Sequence, residues 1–292
     1  MDLSGTGVWT SGLGAADSGE AADIAAELEQ LGYRSLWIPS GTGRSLDAAE
    51  RLLDATSTIT IATGILSIWG QTPQEAAVVD DRIRGRHGDR FVLGLGVSHE
   101  ANIARFDPDA TYERPLAAMR EFLDGLDAAS PPVHPDHRVL AALGPRMLDL
   151  AATRAGGAHP YNVTPEHTAF AREHLGPSKL LVPEQAVALV GGAEDGRRIG
   201  REFLEHYLGL PNYANNLRRL GFTDDDLAGG GSDRLVDAVV AWGDEGAIAA
   251  RVAEHRAAGA DGVCIQVLVG GGIAGMTARP IEVWRTLAPA VT

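Results

Sequence analysis

The sequence predicts an α/β chain: a (β/α)8 TIM barrel with a helical insertion between strands 7 and 8. Three observations predict it. Short β-branched or apolar runs alternate with Ala/Leu/Glu/Arg-rich helical stretches from end to end, and strictly alternating units give parallel strands covered by helices. Eight such runs can be counted, and 292 residues suit one barrel of about 250 residues with insertions. No full G-x-G-x-x-G, the turn of an open dinucleotide-binding sheet, follows any of the first seven runs; the one in the chain, Gly270–Gly275, comes after the last. At the fourth run, Gly94-Leu95-Gly96-Val97-Ser98-His99 has histidine where the third glycine belongs.

The expected strands are Gly7–Thr10, Ser35–Pro39, Thr60–Ile68, Arg90–Val97, Val139–Leu143, Ala158–Asn162, Leu180–Leu189 and Gly262–Val269. Between the first two, Ala21–Leu31 is an amphipathic helix with Ile24, Leu28 and Leu31 on one face, ended by Gly32. Asp47–Thr56, Pro73–Arg86, Pro115–Leu126, Arg146–Ala155 and Pro165–Leu175 continue the pattern. Proline opens several of them, where its missing N–H costs nothing. Two connections are long. One holds Pro131, Pro132 and Pro135. The other, Gly191–Glu245, is too long for a single crossover helix and is expected to add helices, with Gly229-Gly230-Gly231 as a hinge or disordered turn. Nothing marks a second domain, so residues 1–292 are read as one, with 191–245 as its insertion and Gly209–Gly231 as part of a lid.

A formal net charge of −14 argues against nucleic acid as a partner. No apolar run approaches the roughly 18 residues of a membrane helix, and no basic-then-apolar leader opens the chain. Cys264 is the one cysteine, so a disulfide framework is excluded and a small buried hydrophobe is the simplest role for it. These features place the chain in the cytoplasm. Lys179 is the one lysine and precedes an apolar run, which leaves little room for Schiff-base chemistry. His134-x-x-His137 lacks a third ligand for zinc, and no G-x-S-x-G elbow is present.

In a barrel the chemistry sits just past the C-terminal ends of the strands. After strand 5, Gly144-Pro145 opens a helix at Arg146, whose free N–H groups, dipole and guanidinium suit a phosphate. Taken alone, the same residues suit a plain βα turn with a solvated arginine better than a phosphate site. After strand 4, His99-Glu100 is an adjacent titratable pair that could shuttle a proton, or a salt-linked loop pair.

Taken together, Thr63–Pro73, Arg90–Glu100 and Ala141-Ala142-Leu143-Gly144-Pro145 resemble the bacterial luciferase-like barrel superfamily, in particular its branch using the deazaflavin coenzyme F420. The resemblance runs along nearly the whole chain. It implies a cis peptide at Gly64–Ile65 supporting one face of the ring system, a cofactor contact at Ser67, and a turn from Ala141 and Ala142 through Leu143 and Gly144 to Arg146 that holds the cofactor's phosphate-bearing side chain. Glu100 matches a strand-4 glutamate that acts near the hydride-transfer carbon in the family's sugar-phosphate dehydrogenases. Those enzymes carry an Asp-His pair after strand 2 and a lysine after strand 6. Here the places hold Ser40-Gly41 and Thr164, which removes the usual base and the sugar-phosphate anchor.

The function implied is a coenzyme F420-dependent oxidoreductase moving a hydride to or from a small organic substrate. Reduction is favoured because the base is missing, with Glu100 or His99 as proton donor. The alternatives are an FMN-dependent monooxygenase fed by a partner reductase, and a barrel that has lost its cofactor. Trp9, Trp37, Trp69 and Tyr161 are candidate pocket walls or plain barrel packing. Relatives commonly pair through the helices after strands 2 and 3, so a homodimer is expected. The small and apolar residues of those helices (Ala48, Ala49, Leu52, Leu53; Ala76, Ala77, Val78, Val79) agree with it.

Overall fold

The computed structural model describes residues 3–15, 18–40, 44–103 and 112–292. Ten strands run along them: β1 Gly5–Trp9, β2 Ser35–Ser40, β3 Thr60–Ser67, β4 Phe91–Gly96, β5 Arg138–Leu140, β6 Gly157–Ala158, β7 Leu180–Leu181, β8 Glu184–Leu189, β9 Val240–Gly243 and β10 Gly262–Val267. The helices are α1 Gly12–Ala15, α2 Ser18–Gln30, α3 Arg44–Asp54, α4 Pro73–His87, α5 Glu100–Ile103, α6 Pro115–Ala128, α7 Pro145–Arg154, α8 Pro165–Leu175, α9 Ala193–Leu208, α10 Pro211–Arg219, α11 Asp224–Leu227, α12 Asp233–Val239, α13 Glu245–Ala257, α14 Gly272–Gly275 and α15 Ile281–Val291.

All ten strands lie in one curled sheet in the order β7-β6-β5-β4-β3-β2-β1-β10-β8-β9, and every pair is parallel. The single expected strand Leu180–Leu189 is two, broken at Val182-Pro183. Proline brings no N–H to a ladder and restricts the residue before it. On one side of this run, Val182 N–H bonds Ala158 O and Glu184 N–H bonds Pro160 O. On the other, Asp261 N–H bonds Leu181 O and Cys264 N–H bonds Pro183 O. One stretch of chain thus joins the β6 side of the sheet to the β10 side.

The region between β8 and β10 differs from its expected reading. Residues 193–239 hold α9 to α12, but Val240–Gly243 forms β9 beside β8, with Ala186 opposite Val240 and Leu189 opposite Gly243. A short apolar run beside a helical one gives no periodicity to separate strand from helix. Gly229-Gly230-Gly231 is an ordered turn with φ of 60°, 80° and 109°, tied down by Arg201 Nε–H bonding Gly231 O.

Side chains of β1 to β5 and β10, with Leu3 and Val182 beside them, form one cluster: Leu3, Trp9, Trp37, Ala62, Val92, Val139, Val182 and Cys264. A larger cluster joins the sheet's outer face to the helices, and a third gathers α9, α10, α12 and β9. Ala48, Ala49, Leu52, Leu53, Ala76 and Ala77 all belong to the second. They face the protomer's own core, and of the residues expected at a dimer face only Val78 is strongly exposed.

β3 positions the site. Ile38 pairs with Thr63 and Ser40 with Leu66, while Ala62 pairs with Val92 and Leu66 with Leu95. β3 therefore carries one residue more than either neighbour between these points, a bulge at its centre that re-aims side chains. The Gly64–Ile65 peptide inside it is cis. Gly94 permits the close approach of β4, since a Cβ there would meet Thr63 O at 1.9 Å. Thr63 Oγ1 instead donates to Gly94 O and accepts from Gly94 N–H, both at 2.8 Å. Among the described residues, no helix is long and apolar enough to cross a membrane.

Candidate active site

A cavity of about 720 Å³ opens at the C-terminal ends of β3 to β6 and is covered by α9 and α10. Gly64, Ile65, Ser67, His99, Ala141, Ala142, Leu143, Gly144 and Arg146 all line it. The wall from β3 and β4 is shaped by what the glycines lack. Trp9 Nε1–H donates to Gly64 O at 3.0 Å, and a Cβ on Gly64 would strike that indole. A Cβ on Gly96 would lie 2.5 Å from Ile65 Cδ1, so the bulge's isoleucine rests against a bare backbone. Ser67 is buried and its Oγ accepts from Trp69 N–H at 3.4 Å.

At the strand-5 turn, Gly144 is the N-cap of α7 and offers no side-chain cap. Met147 and Leu148 N–H both bond Gly144 O, so Met147 is committed, while the N–H of Arg146 in the first turn has no carbonyl within the helix to meet. His167 on α8 donates Nε2–H to Leu143 O at 2.9 Å and holds the turn from behind. Its own N–H is capped by Thr164, so the residue at the family's lysine position serves the helix start. A second guanidinium arrives from α10: Arg219 lines the cavity with one Nη 3.7 Å from where a Gly144 Cβ would be. Arg219 bonds Asn216 Oδ1 and, like Arg146, meets no carboxylate among the described residues. Among the described residues no carboxylate lines the cavity, and Arg146 and Arg219 make this end of it cationic.

His99 and Glu100 part company. Ser98 turns the chain at φ 55°, and His99 O accepts the helical bond from Ile103 N–H, so His99 and Glu100 stand at a helix start, where successive side chains diverge by about 100°. His99 lines the cavity, whereas Glu100 is exposed and does not. Burial, reinforced by His206, lowers the His99 imidazole to about 4, and its Nδ1 has no partner. Burial thus favours the neutral form of the ring. Of Ser40-Gly41, Gly41 and the Ser40 side chain lie outside the described residues.

The four singled-out aromatics separate. Trp9 and Tyr161 line the cavity. Trp37 is buried below it, stacked on His159 at 3.9 Å. Trp69 bonds Val97 O from the side. The sequence reading missed Tyr207, Tyr213, His206, Asn212 and Arg219, because they stand on helices α9 and α10 where no strand end flags them, and Met276 beyond β10. Tyr161 O–H donates to Gln266 Oε1 at 2.7 Å and shares a 3.0 Å bond with Tyr207. Tyr213 stands edge-on to Tyr207 at 5.2 Å. Beneath this group Glu184 is fully buried; Oε2 accepts from Asn162 N–H, Oε1 has no partner, and burial raises its carboxyl to about 8. His134 and His137 lie apart from the cavity, and no cluster of three metal-ligating side chains occurs among the described residues.

Comparison with known proteins places this geometry. The luciferase-like monooxygenase family matches residues 3–138. No curated relative matches the sequence. Among solved structures, an F420-dependent secondary alcohol dehydrogenase in complex with an F420–acetone adduct aligns over 100% of both chains at 12% identity and TM-score 0.73. The coenzyme F420-dependent tetrahydromethanopterin reductase from Methanopyrus kandleri aligns over 100% of both at 15% identity and TM-score 0.72. The EDTA monooxygenase from Chelativorans sp. BNC1 aligns over 99% of this chain and 93% of its own, at 13% identity and TM-score 0.69. The chain thus resembles the luciferase-like monooxygenase family in sequence over residues 3–138, and shares the barrel-like fold of F420-dependent enzymes and monooxygenases over its whole length.

Proposed function

We propose that this chain is a (β/α)8-barrel oxidoreductase that binds coenzyme F420 in the cavity and moves a hydride between it and a small organic substrate, with reduction the favoured direction. The observation carrying this is a single cavity with two unlike ends: an apolar wall over the β3 bulge, and a cationic corner at the start of α7. A flat ring system fits the first and a phosphate-bearing side chain the second, so the residues present fit the group. When bound, the deazaflavin supplies the hydride. Gly64, Ile65 and Ser67 form the ring wall. Ala141, Ala142, Leu143 and Gly144 would line the anionic side chain, and Arg146 would hold it through its open backbone N–H and its charge.

Of the two expected proton donors, His99 lines the cavity while Glu100, exposed at the start of α5, stands outside its lining, so His99, passing on a proton from cavity water, is the group placed to serve a reduction. FMN with a partner reductase is the second reading, favoured by a type II Baeyer–Villiger monooxygenase in complex with FMN among the structural neighbours. Fluorescence titration with F420 and with FMN separates the readings: saturation by F420 alone supports the first, by FMN alone the second, and by neither a barrel without cofactor.

A further inference from the structure

Four tyrosines line the cavity: Tyr112, Tyr161, Tyr207 and Tyr213. Three of their hydroxyls are engaged. Tyr112 O–H donates to Ser98 O at 2.9 Å and accepts from Asn212 Nδ2. Tyr161 donates to Gln266 and shares a bond with Tyr207, whose hydroxyl also touches Met276 Sδ at 3.5 Å. Tyr213 is different. Among the described residues its hydroxyl meets no hydrogen-bond partner, although its ring is fixed by Tyr207 at 5.2 Å, Tyr161 at 6.1 Å and His99 at 5.3 Å. A ring held on three sides that lines the cavity, with a hydroxyl that no described protein group engages, leaves a donor open to a ligand in place of water.

The surroundings restrict what can fill it. Trp9, Tyr161, Tyr207 and Met276 supply flat or apolar walls beside Tyr213. Among the described residues no carboxylate lines the cavity, and the two arginines that do stand at the strand-5 turn. Tyr213 and Arg219 are six residues apart on α10, about 9 Å along the axis at 1.5 Å per residue. One helix therefore serves both ends, cation at one and neutral hydroxyl at the other. Burial and the neighbouring Tyr207 raise the Tyr213 phenol well above its ordinary value, so it stays a donor at any working pH.

The geometry points to Tyr213 as the specificity-determining hydroxyl for a neutral, planar substrate bearing one hydrogen-bond-accepting carbonyl or imine group, held between the aromatic side chains of α9 and α10 and the ring wall of β3. This rests on the oxidoreductase reading above, since that reading puts the cofactor against β3 and leaves the aromatic end to substrate.

The test measures binding, by calorimetry, of acetophenone, ethylbenzene, benzoate and benzylammonium to the protein alone and with F420. Wild type is expected to bind acetophenone about two- to tenfold more tightly than ethylbenzene, the worth of one hydrogen bond, and both charged probes more weakly. Tyr213→Phe should erase the preference and leave F420 affinity unchanged. A preference that survives in Tyr213→Phe, no preference in wild type, or a charged probe that binds best overturns the assignment. Should the variant fail to fold, ring-labelled tyrosine in wild type serves. Acetophenone, and not ethylbenzene, should shift the Tyr213 resonance, and equal shifts overturn the proposal. Failure of the F420 titration alone overturns the cofactor reading and leaves the probe preference to be read in the protein alone.

Discussion

Replacing Glu184 by glutamine should make the protein's stability less dependent on pH. The carboxyl is fully buried, and its one hydrogen bond, from Asn162 N–H, does not offset the loss of water, so it is raised from 4.5 to about 8. Between those values the folded chain holds a proton that the unfolded chain releases, so folding weakens as pH rises through the window. At about 1.4 kcal/mol per unit, the cost accrued between pH 5 and pH 7 is about 2.5 kcal/mol. Glutamine imitates the protonated acid: one oxygen still accepts from Asn162 and the other position carries a donor. The buried imidazoles of His159, His167 and His255, each depressed by burial, act in the opposite sense, since folding strengthens as they lose their protons on the way up from low pH. They are common to both proteins, so the difference between the two isolates Glu184. Urea unfolding at pH 5 and pH 7 should give a stability difference, variant minus wild type, that grows by about 2.5 kcal/mol. A difference that stays constant across that range would refute the buried, protonated carboxyl.

Arg146→Glu and Arg219→Glu should each weaken cofactor binding, more at low salt than at high, because the attraction is screened; equal affinity at low salt would remove both from the anion site. Gly94→Ala, whose methyl would meet Thr63 O at 1.9 Å, should cost about 3 kcal/mol or more. Gly85→Ala, with open space around it in α4, should gain about 0.5–1 kcal/mol, and thermal melts of the pair check the contrast. By NMR the His99 ring should titrate near 4, and a midpoint above 6 would show that it is solvated. Light scattering should return a dimer mass at micromolar concentration, and a monomer mass would count against pairing through α3 and α4.

Much of the architecture could be read in the sequence, because alternation and proline or glycine punctuation are local signals. α4, α6 and α8 begin at Pro73, Pro115 and Pro165 as expected, since the residue that opens a helix is a property of that position. β9 and the break at Val182-Pro183 could not be read. Whether Val240–Gly243 becomes strand depends on β8 offering an edge, which is a tertiary fact. The site divides the same way. Ala141–Arg146 follow a strand end, where position along the chain predicts position in the cavity, and Gly64 and Ile65 lie in the β3 bulge that the motif marks. Glu100 also stands at one, yet a positive φ at Ser98 and the start of α5 carry it outside. Tyr207, Tyr213 and Arg219 are spaced as ordinary helix residues, and only the packing of α9 and α10 over the strands makes them part of a site.

The parallel pairing of β8 with β9 also decides how the cavity's cover is held. The chain leaves the sheet at Leu189, passes through α9 to α12, and re-enters the same sheet at Val240, one strand away. Both ends of the excursion are thus pinned to adjacent strands about 11 Å apart, since Val240 pairs with Ala186, three residues before Leu189. A cover clamped at both feet cannot swing as a flap on one hinge; it can only shift as a packed unit or be remodelled in place. Side chains on α9 and α10 can therefore be exchanged to change what the cavity accepts while the β3 and β5 walls keep their shape, and the loop-closure entropy of the excursion is already met by the sheet.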